Sequence, residues 1–184
     1  MQSSPTLIVV SGPPGSGKTT LARQLAAAVG CPLISRDEIK EGMVQATPGF
    51  VPGEGDELTR RTLPVFFGVL DLLLRAGVTT VAEAAFQDRV WRPNLEPLRG
   101  LARLRIVHCT VAGGLAFERR LRRGADVASR RAHDDPGPDQ AAERIRAHAE
   151  FDRLSVDAPC IEVDTTSGYR PGLADVVAFV TAPG

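Results

Sequence analysis

The sequence predicts an α/β domain built on a mainly parallel sheet with helices on both faces, and three observations carry this. Short runs rich in Val and Ile recur along the 184 residues without polar alternation, the pattern of strands buried on both sides. Stretches with helical apolar spacing separate these runs, as crossovers between parallel strands require. The first apolar run also passes through a glycine-rich turn directly into a helical pattern. This length supports one domain with a sizeable core, spanning residues 1–184.

Residues 6–10, Thr-Leu-Ile-Val-Val, read as the first strand. Residues 20–29 read as a helix that buries Leu21, Leu25 and either Ala28 or Val29 and stops at Gly30. Between them stands Gly12-Pro13-Pro14-Gly15-Ser16-Gly17-Lys18-Thr19, a complete G-x-x-x-x-G-K-T in its strand–turn–helix context. Gly12, Gly15 and Gly17 can adopt backbone angles closed to other residues, so successive N–H groups can turn inward around a phosphate. The helix beginning near Lys18 adds its positive end to the same spot. Lys18 is expected to reach the β- and γ-phosphates of a nucleotide and the Thr19 hydroxyl to ligate Mg2+, with Thr20 beside it.

A short second strand at 32–34 leads into Ser35-Arg36-Asp37-Glu38, which fits a capping box with Ser35 as N-cap and Glu38 at the third helical position. Asp37 then falls in a helix's first turn, at the sheet edge where open α/β folds bind ligands. Residues 47–55, with Pro48, Gly49, Pro52, Gly53 and Gly55, read as a mobile loop. Residues 56–76 read as a helix with an apolar face of Phe66, Val69, Leu70 and Leu73, kinked or subdivided at Pro64. Glu54, Asp56, Glu57, Arg60 and Arg61 suit a substrate cover and equally a solvated face.

A third strand at 78–82 delivers Glu83 to the same edge as Asp37. Trp91 reads as core packing before a helical segment through Leu95, Leu98, Leu101 and Ala102, and residues 104–109 form the fourth strand. The next helix sets Phe117 and Leu121 on one side and Arg119 and Arg123 on the opposite one, with Arg130 and Arg131 farther on. Residues 133–139 read as a turn, 140–154 as a charged helix carrying His148, and 161–163 as the fifth strand before Asp164-Thr165-Thr166. The last helix buries Leu173, Val176, Val177 and Val180, with Pro171 near its first position.

Lys+Arg and Asp+Glu both number 22, so no global field gathers nucleic acid, although a local basic cluster still can. Cys31, Cys109 and Cys160 are widely spaced, lack a C-x-x-C and lie beside or within apolar runs. They read as buried free thiols in a reducing cytoplasm. No signal peptide is expected from residues 1–5, and no apolar run reaches membrane-spanning length.

Taken as an ordered set, Gly12 to Thr19, Ser35-Arg36-Asp37-Glu38-Ile39-Lys40, Glu83-Ala84-Ala85-Phe86, Arg119-x-x-x-Arg123-Gly124 and Val163-Asp164-Thr165-Thr166 resemble the small P-loop kinases related to polynucleotide 5′-hydroxyl kinase, chloramphenicol phosphotransferase and the zeta toxins. The resemblance implies a P-loop three-layer sandwich with five parallel strands in the adenylate-kinase-like order 2-3-1-4-5 and a small arginine-bearing lid at about 119–138. It implies that Asp37 orients or deprotonates an acceptor hydroxyl and that Arg123 stabilises the transferring phosphoryl. Arg119 then lies against adenine, and Asp164 and Thr165 line the adenine pocket. Arg120, Arg122, Arg130 and Arg131 are alternatives for the role given to Arg123. Arg36, Lys40 and Glu83 fall on the acceptor side, with Glu83 holding substrate or the water shell of Mg2+.

A first-turn carboxylate is stabilised as its anion, so Asp37 is a weak free base whose main work is alignment, with proton acceptance late in a loose transition state. The expected activity is ATP- and Mg2+-dependent transfer of the γ-phosphate to a hydroxyl of a small molecule. The alternatives are a polynucleotide 5′-hydroxyl kinase, against which the acids of the 47–61 loop and the zero net charge argue, and a nucleotide-binding regulator or toxin-like protein.

Overall fold

In the computed structural model, which describes residues 4–51, 53, 55–126 and 137–183, the period-two geometry of the first strand divides the core. β1 (Thr6–Ser11) is buried throughout. Its Leu7 and Val9 face one apolar cluster and its Ile8 and Val10 the other. The remaining strands are β2 (Leu33–Ser35), β3 (Thr80–Glu83), β4 (Arg103–Thr110) and β5 (Cys160–Asp164). All pair in parallel, in the order β2-β3-β1-β4-β5 expected of an adenylate-kinase-like sandwich.

The Ile8 and Val10 face is covered by α1 (Lys18–Val29) through Leu21, Ala22, Leu25 and Ala26, and by α7 (Leu173–Thr181) through Val176 and Val180. The opposite face is covered by α3 (Glu57–Arg75) and α4 (Asp88–Leu95). There Phe66, Phe67, Phe86 and Trp91 form an aromatic cluster with ring centroids between 5.1 and 6.0 Å apart. Trp91 is wholly buried, as core packing requires. Each fully buried side chain of this kind contributes about 1.5–3 kcal/mol. Because Phe86 belongs to the cluster, the loop leaving Glu83 is anchored from beneath. The other helices are α2 (Arg36–Gln45), α5 (Gly113–Asp126) and α6 (Ala141–Ala149).

Several local expectations change. Ser35 is the N-cap residue of α2, but its side chain makes no cap bond. Its hydroxyl donates to Glu83 instead, and Glu38 pairs with Arg23 at 2.6 Å, so the capping box is not formed. The buried side of α3 is Leu58, Thr62, Phe66, Phe67, Leu70 and Leu74, one position away from the expected Val69 and Leu73, and the helix runs through the exposed Pro64 without being divided. On α1 Ala28 is exposed and Val29 partly buried.

The helix expected over 140–154 ends at Ala149. Past its end, Asp88 accepts the Ser155 N–H at 2.7 Å and donates its own N–H to the Asp152 carbonyl at 3.1 Å, and Leu154 between them is buried. Pro171 precedes the N-cap Gly172 and so lies outside α7. Cys109 is buried and Cys31 partly so, but Cys160, the first residue of the edge strand β5, is exposed. Pro52, Glu54, Arg130, Arg131, residues 127–136 of the expected lid and most of the 133–139 turn lie outside the described residues. No helix among the described residues is long and apolar enough to cross a membrane.

Candidate active site

β1 ends mid-sheet and the chain turns through residues 12–17 into α1. Gly15 (φ 84°) and Gly17 (φ 76°, the N-cap of α1) hold left-handed conformations that side chains strain. A side chain at Gly15 would also run into the backbone of Ala116, so glycine is what lets the loop lie against α5. Within the turn the Ser16 N–H donates to the Pro13 carbonyl at 3.1 Å. The Ser16 hydroxyl is buried without a hydrogen-bond partner among the described residues. With the N-terminus of α1 pointing into the turn, this is a cradle shaped for a phosphate.

On the β2–β3 side of the cradle, parallel register brings Val10, Glu83 and Ser35 abreast at the C-terminal ends of β1, β3 and β2. Glu83 is buried, with Oε1 3.8 Å from the Lys18 ammonium and Oε2 accepting from the Ser35 hydroxyl at 2.8 Å. Burial drives its pKa up. The Lys18 charge opposes this, the Asp37 carboxylate adds to it, and hydrogen bonds from Ser35 and Thr19 oppose it; the outcome is above the ordinary value. Lys18, Thr19, Glu83 and Asp37 therefore form one electrostatic group. Asp37 keeps its carboxylate 43% exposed, where it accepts from Arg36 at 2.9 Å.

Lys40 is engaged elsewhere: its ammonium is buried against Asp56 at 2.7 Å and lies 6.0 Å from the Phe50 ring centroid. Asp56 also caps α3 by accepting the Thr59 N–H at 2.7 Å. Burial raises its pKa, but the Lys40 hydrogen bond and charge and the amides of Thr59 and Gly53 outweigh that and hold it at about 2.

On the other side of the cradle, a cavity of about 420 Å³ is bordered by Gly15, Gly17, Arg119, Arg122, Arg123 and Thr165, with Thr20 at its edge. The Arg119 guanidinium donates to Thr165 Oγ1 at 3.1 Å and to the Thr165 and Thr166 carbonyls at 2.7 and 3.2 Å. Thr165 Oγ1 in turn donates to the Ser16 carbonyl at 2.8 Å. One side chain thus locks α5, the end of β5 and the phosphate loop together. Arg123 Nε donates to the Arg119 carbonyl at 3.4 Å. The exposed Asp164 accepts the Thr166 N–H at 2.7 Å; hydrogen bonds from Thr166 hold its carboxyl below the ordinary value.

The sequence-derived residues fall into two groups around one cradle: Lys18, Thr19, Asp37 and Glu83 on one side, and Thr20, Arg119, Arg123 and Thr165 on the other. Lys40 is committed to Asp56, and the Asp164 carboxylate to its own turn. Sequence reasoning missed the Ser35 contact with Glu83, which needs strand register. It also missed Gly168 and Tyr169 on the cavity wall, which an antiparallel bridge between Asp164 and Arg170 folds back there.

No curated protein matches the sequence. Among solved structures, the chain is similar to a candidate kinase from Chloroflexus aurantiacus with 25% identity, 97% of each chain covered and a TM-score of 0.84. It also shares its fold with a sugar kinase from a Janibacter species (19% identity, 97% and 96% covered, TM-score 0.64). A shikimate kinase from Acinetobacter baumannii, solved with shikimate, is a third (22% identity, 96% and 90% covered, TM-score 0.51). Residues 7–154 match the AAA domain model, a span that holds the cradle, Asp37, Glu83 and all of α5. With that span covering most of the chain, the protein belongs to the AAA domain family and has its kinase-like, nucleotide-binding P-loop fold.

Proposed function

We propose that the protein transfers the γ-phosphate of ATP to a hydroxyl of a small-molecule acceptor. The observation that carries this is the Lys18–Glu83–Ser35 group with Asp37 beside it at the cradle mouth, on the side opposite the arginine-lined cavity. Holding a nucleotide with Mg2+ accounts for Glu83, whereas the second carboxylate, Asp37, is the group that an acceptor hydroxyl needs. In this reading the nucleotide base occupies the cavity beside Arg119 and Thr165, and the phosphates lie over residues 12–19.

The acceptor oxygen attacks the γ-phosphorus, the bond from that phosphorus to the β–γ bridging oxygen breaks, and ADP departs. Asp37 aligns the hydroxyl and accepts its proton late, where little base strength is needed. Lys18 and Arg123 neutralise charge spreading over the transferred group, with Arg122 next to Arg123 on the cavity wall. Thr19 and Glu83 are the residues that would hold Mg2+, which when bound would supply positive charge against the phosphates. Arg36 holds Asp37 in place from the neighbouring position.

The test is phosphoryl transfer from labelled ATP to a panel of polyols, sugar acids, nucleosides, aminoglycosides and a 5′-hydroxyl oligonucleotide. Asp37→Asn should lower transfer by about 10²- to 10⁴-fold while nucleotide affinity is retained. Full transfer by that variant removes the role given to Asp37. Labelling of the oligonucleotide alone, falling steeply with salt, replaces the small-molecule reading with the nucleic-acid one.

A further inference from the structure

A second cavity, of about 170 Å³, lies on the other side of α5 from the nucleotide cavity. It is smaller than the roughly 300–1,000 Å³ usual for drug-sized ligands and so suits a compact molecule. Its boundaries come from the phosphate loop (Pro14), the segment leaving Glu83 (Gln87), α5 (Phe117, Arg120) and α6 (Arg144, His148). Gly113 allows the two helices to meet closely, since a side chain there would press on Ile145 and His148. α5 is thus a partition: Arg119, Arg122 and Arg123 border the nucleotide cavity, while Phe117 and Arg120 border this one.

The chemistry of the lining points to an anion. Two guanidinium groups border the cavity, and none of its described lining residues is acidic. Arg144 Nε is buried with no hydrogen-bond partner among the described residues, and the bond from its Nη2 to Gln140 Oε1 is long, at 3.4 Å. A buried guanidinium N–H without a partner is costly, and a two-oxygen anion satisfies the guanidinium fork in pairs. Gln87 is the N-cap residue of α4 but makes no side-chain cap bond. His148 has its Nε2–H donated to the Val111 carbonyl at 2.9 Å, which fixes the ring against the wall. Phe117 and Phe151 supply apolar surface for a carbon skeleton.

We infer that this cavity is the acceptor's anion subsite: it takes the carboxylate or phosphate of a compact polyhydroxylated acid at Arg144, with the hydroxyl end directed past Gln87 toward Glu83. The inference deepens the kinase reading and rests on it for the position of the γ-phosphate. It narrows the acceptor class to organic anions and gives Arg144 a role in selecting them.

The experiment uses the full chain with ADP and Mg2+ and measures binding of matched probes by ligand-observed NMR, independently of turnover. The probes are glycerate, glycerol 3-phosphate and glycerol, with gluconate against sorbitol. The carboxylate and phosphate arms identify which oxyanion is preferred. At least one acid should bind about tenfold or more tightly than its neutral partner, Arg144→Gln should weaken it about 10- to 100-fold, and Arg144→Lys should restore part of the loss. ADP affinity and thermal melting check that each variant is folded, and Gln87→Ala, expected to weaken acid binding as well, provides an independent variant.

Equal binding of acids and neutral partners, failure of every acid to bind while ADP binds, or acid binding untouched by both Arg144→Gln and Gln87→Ala overturns the subsite. Phosphoryl transfer to neutral acceptors with no preference for acids leaves the kinase reading standing and removes the subsite. Acid binding that depends on Arg144, with no transfer to any acceptor, does the reverse.

Discussion

His108 shows how burial converts one residue into a pH sensor of stability. It sits in β4 with 5% of its surface exposed, next to the Phe151 ring, and its Nδ1 has no hydrogen-bond partner among the described residues. Burial, helped by the nearby Arg153 charge and opposed by Glu162, holds its pKa down at about 4. A histidine kept neutral in the fold takes up a proton on unfolding once the pH is below the free value of about 6.5. Stability is therefore complete above about pH 6.5 and falls as the pH drops toward about 4. Melting temperatures across this range should decline for the wild type and less steeply for His108→Phe; parallel profiles would show that other groups govern the acid limb. Thiol chemistry separates the cysteines in the same way. Burial pushes the Cys109 thiol up to about 12, whereas Cys160 is exposed. Native protein should release one fast equivalent to a thiol reagent, lost in Cys160→Ser, and Cys109 should react only after unfolding.

Among the elements, α2 and α3 are joined across the 46–56 segment by the Lys40–Asp56 pair, whose two side chains are only 5% and 9% exposed. Asp56 is both the ion-pair partner and the cap of α3, so one carboxylate fixes where α3 begins relative to the helix carrying Asp37. Removing one member of such a pair leaves a buried charge. Lys40→Met should cost about 3 kcal/mol in urea unfolding. Because Asp56 is held at about 2, that contribution is present above about pH 4 and is lost as the pH falls toward about 2. An unchanged urea midpoint at neutral pH would mean that the pair contributes nothing to the α2–α3 arrangement. The Ser35 contact has a different consequence: a residue chosen by sequence logic as a helix cap is used across the sheet, because Glu83 is buried beside it and needs a donor.

At the scale of the whole molecule, the nucleotide should act as a tie between parts distant in sequence, since residues 12–20, α5 and the end of β5 all border one cavity. A ligand at 100 times its Kd stabilises by about 2.7 kcal/mol, which for a chain of this size raises Tm by roughly 5–10 °C. ATP with Mg2+ should produce such a shift in the wild type, and Lys18→Ala should lose most of it; an equal shift in both would separate nucleotide binding from the cradle. Much of this architecture is legible in one dimension. Buried parallel strands announce themselves as unbroken β-branched runs, and G-x-x-x-x-G-K-T between a strand and a helix demands one backbone geometry. Less legible were the path of the chain after α6, where Ser155 is bound by Asp88 from 67 residues away, and the buried side of α3, where Phe67 and Leu74 displace Val69 and Leu73.

The sequence by itself determined the glycine-rich turn between strand and helix and the crossover pattern, because each follows from spacing along the chain. Only the tertiary structure decided which side chains meet. Strand register set Ser35 and Glu83 side by side, and the packing of α5 against the glycine-rich turn and α6 left a cavity on each side of it. Lys40 and Asp56, 16 residues apart, form a buried pair. Such pairings arise between residues far apart in the chain, where burial penalises any charge or donor left alone, and no local pattern of residues encodes that penalty.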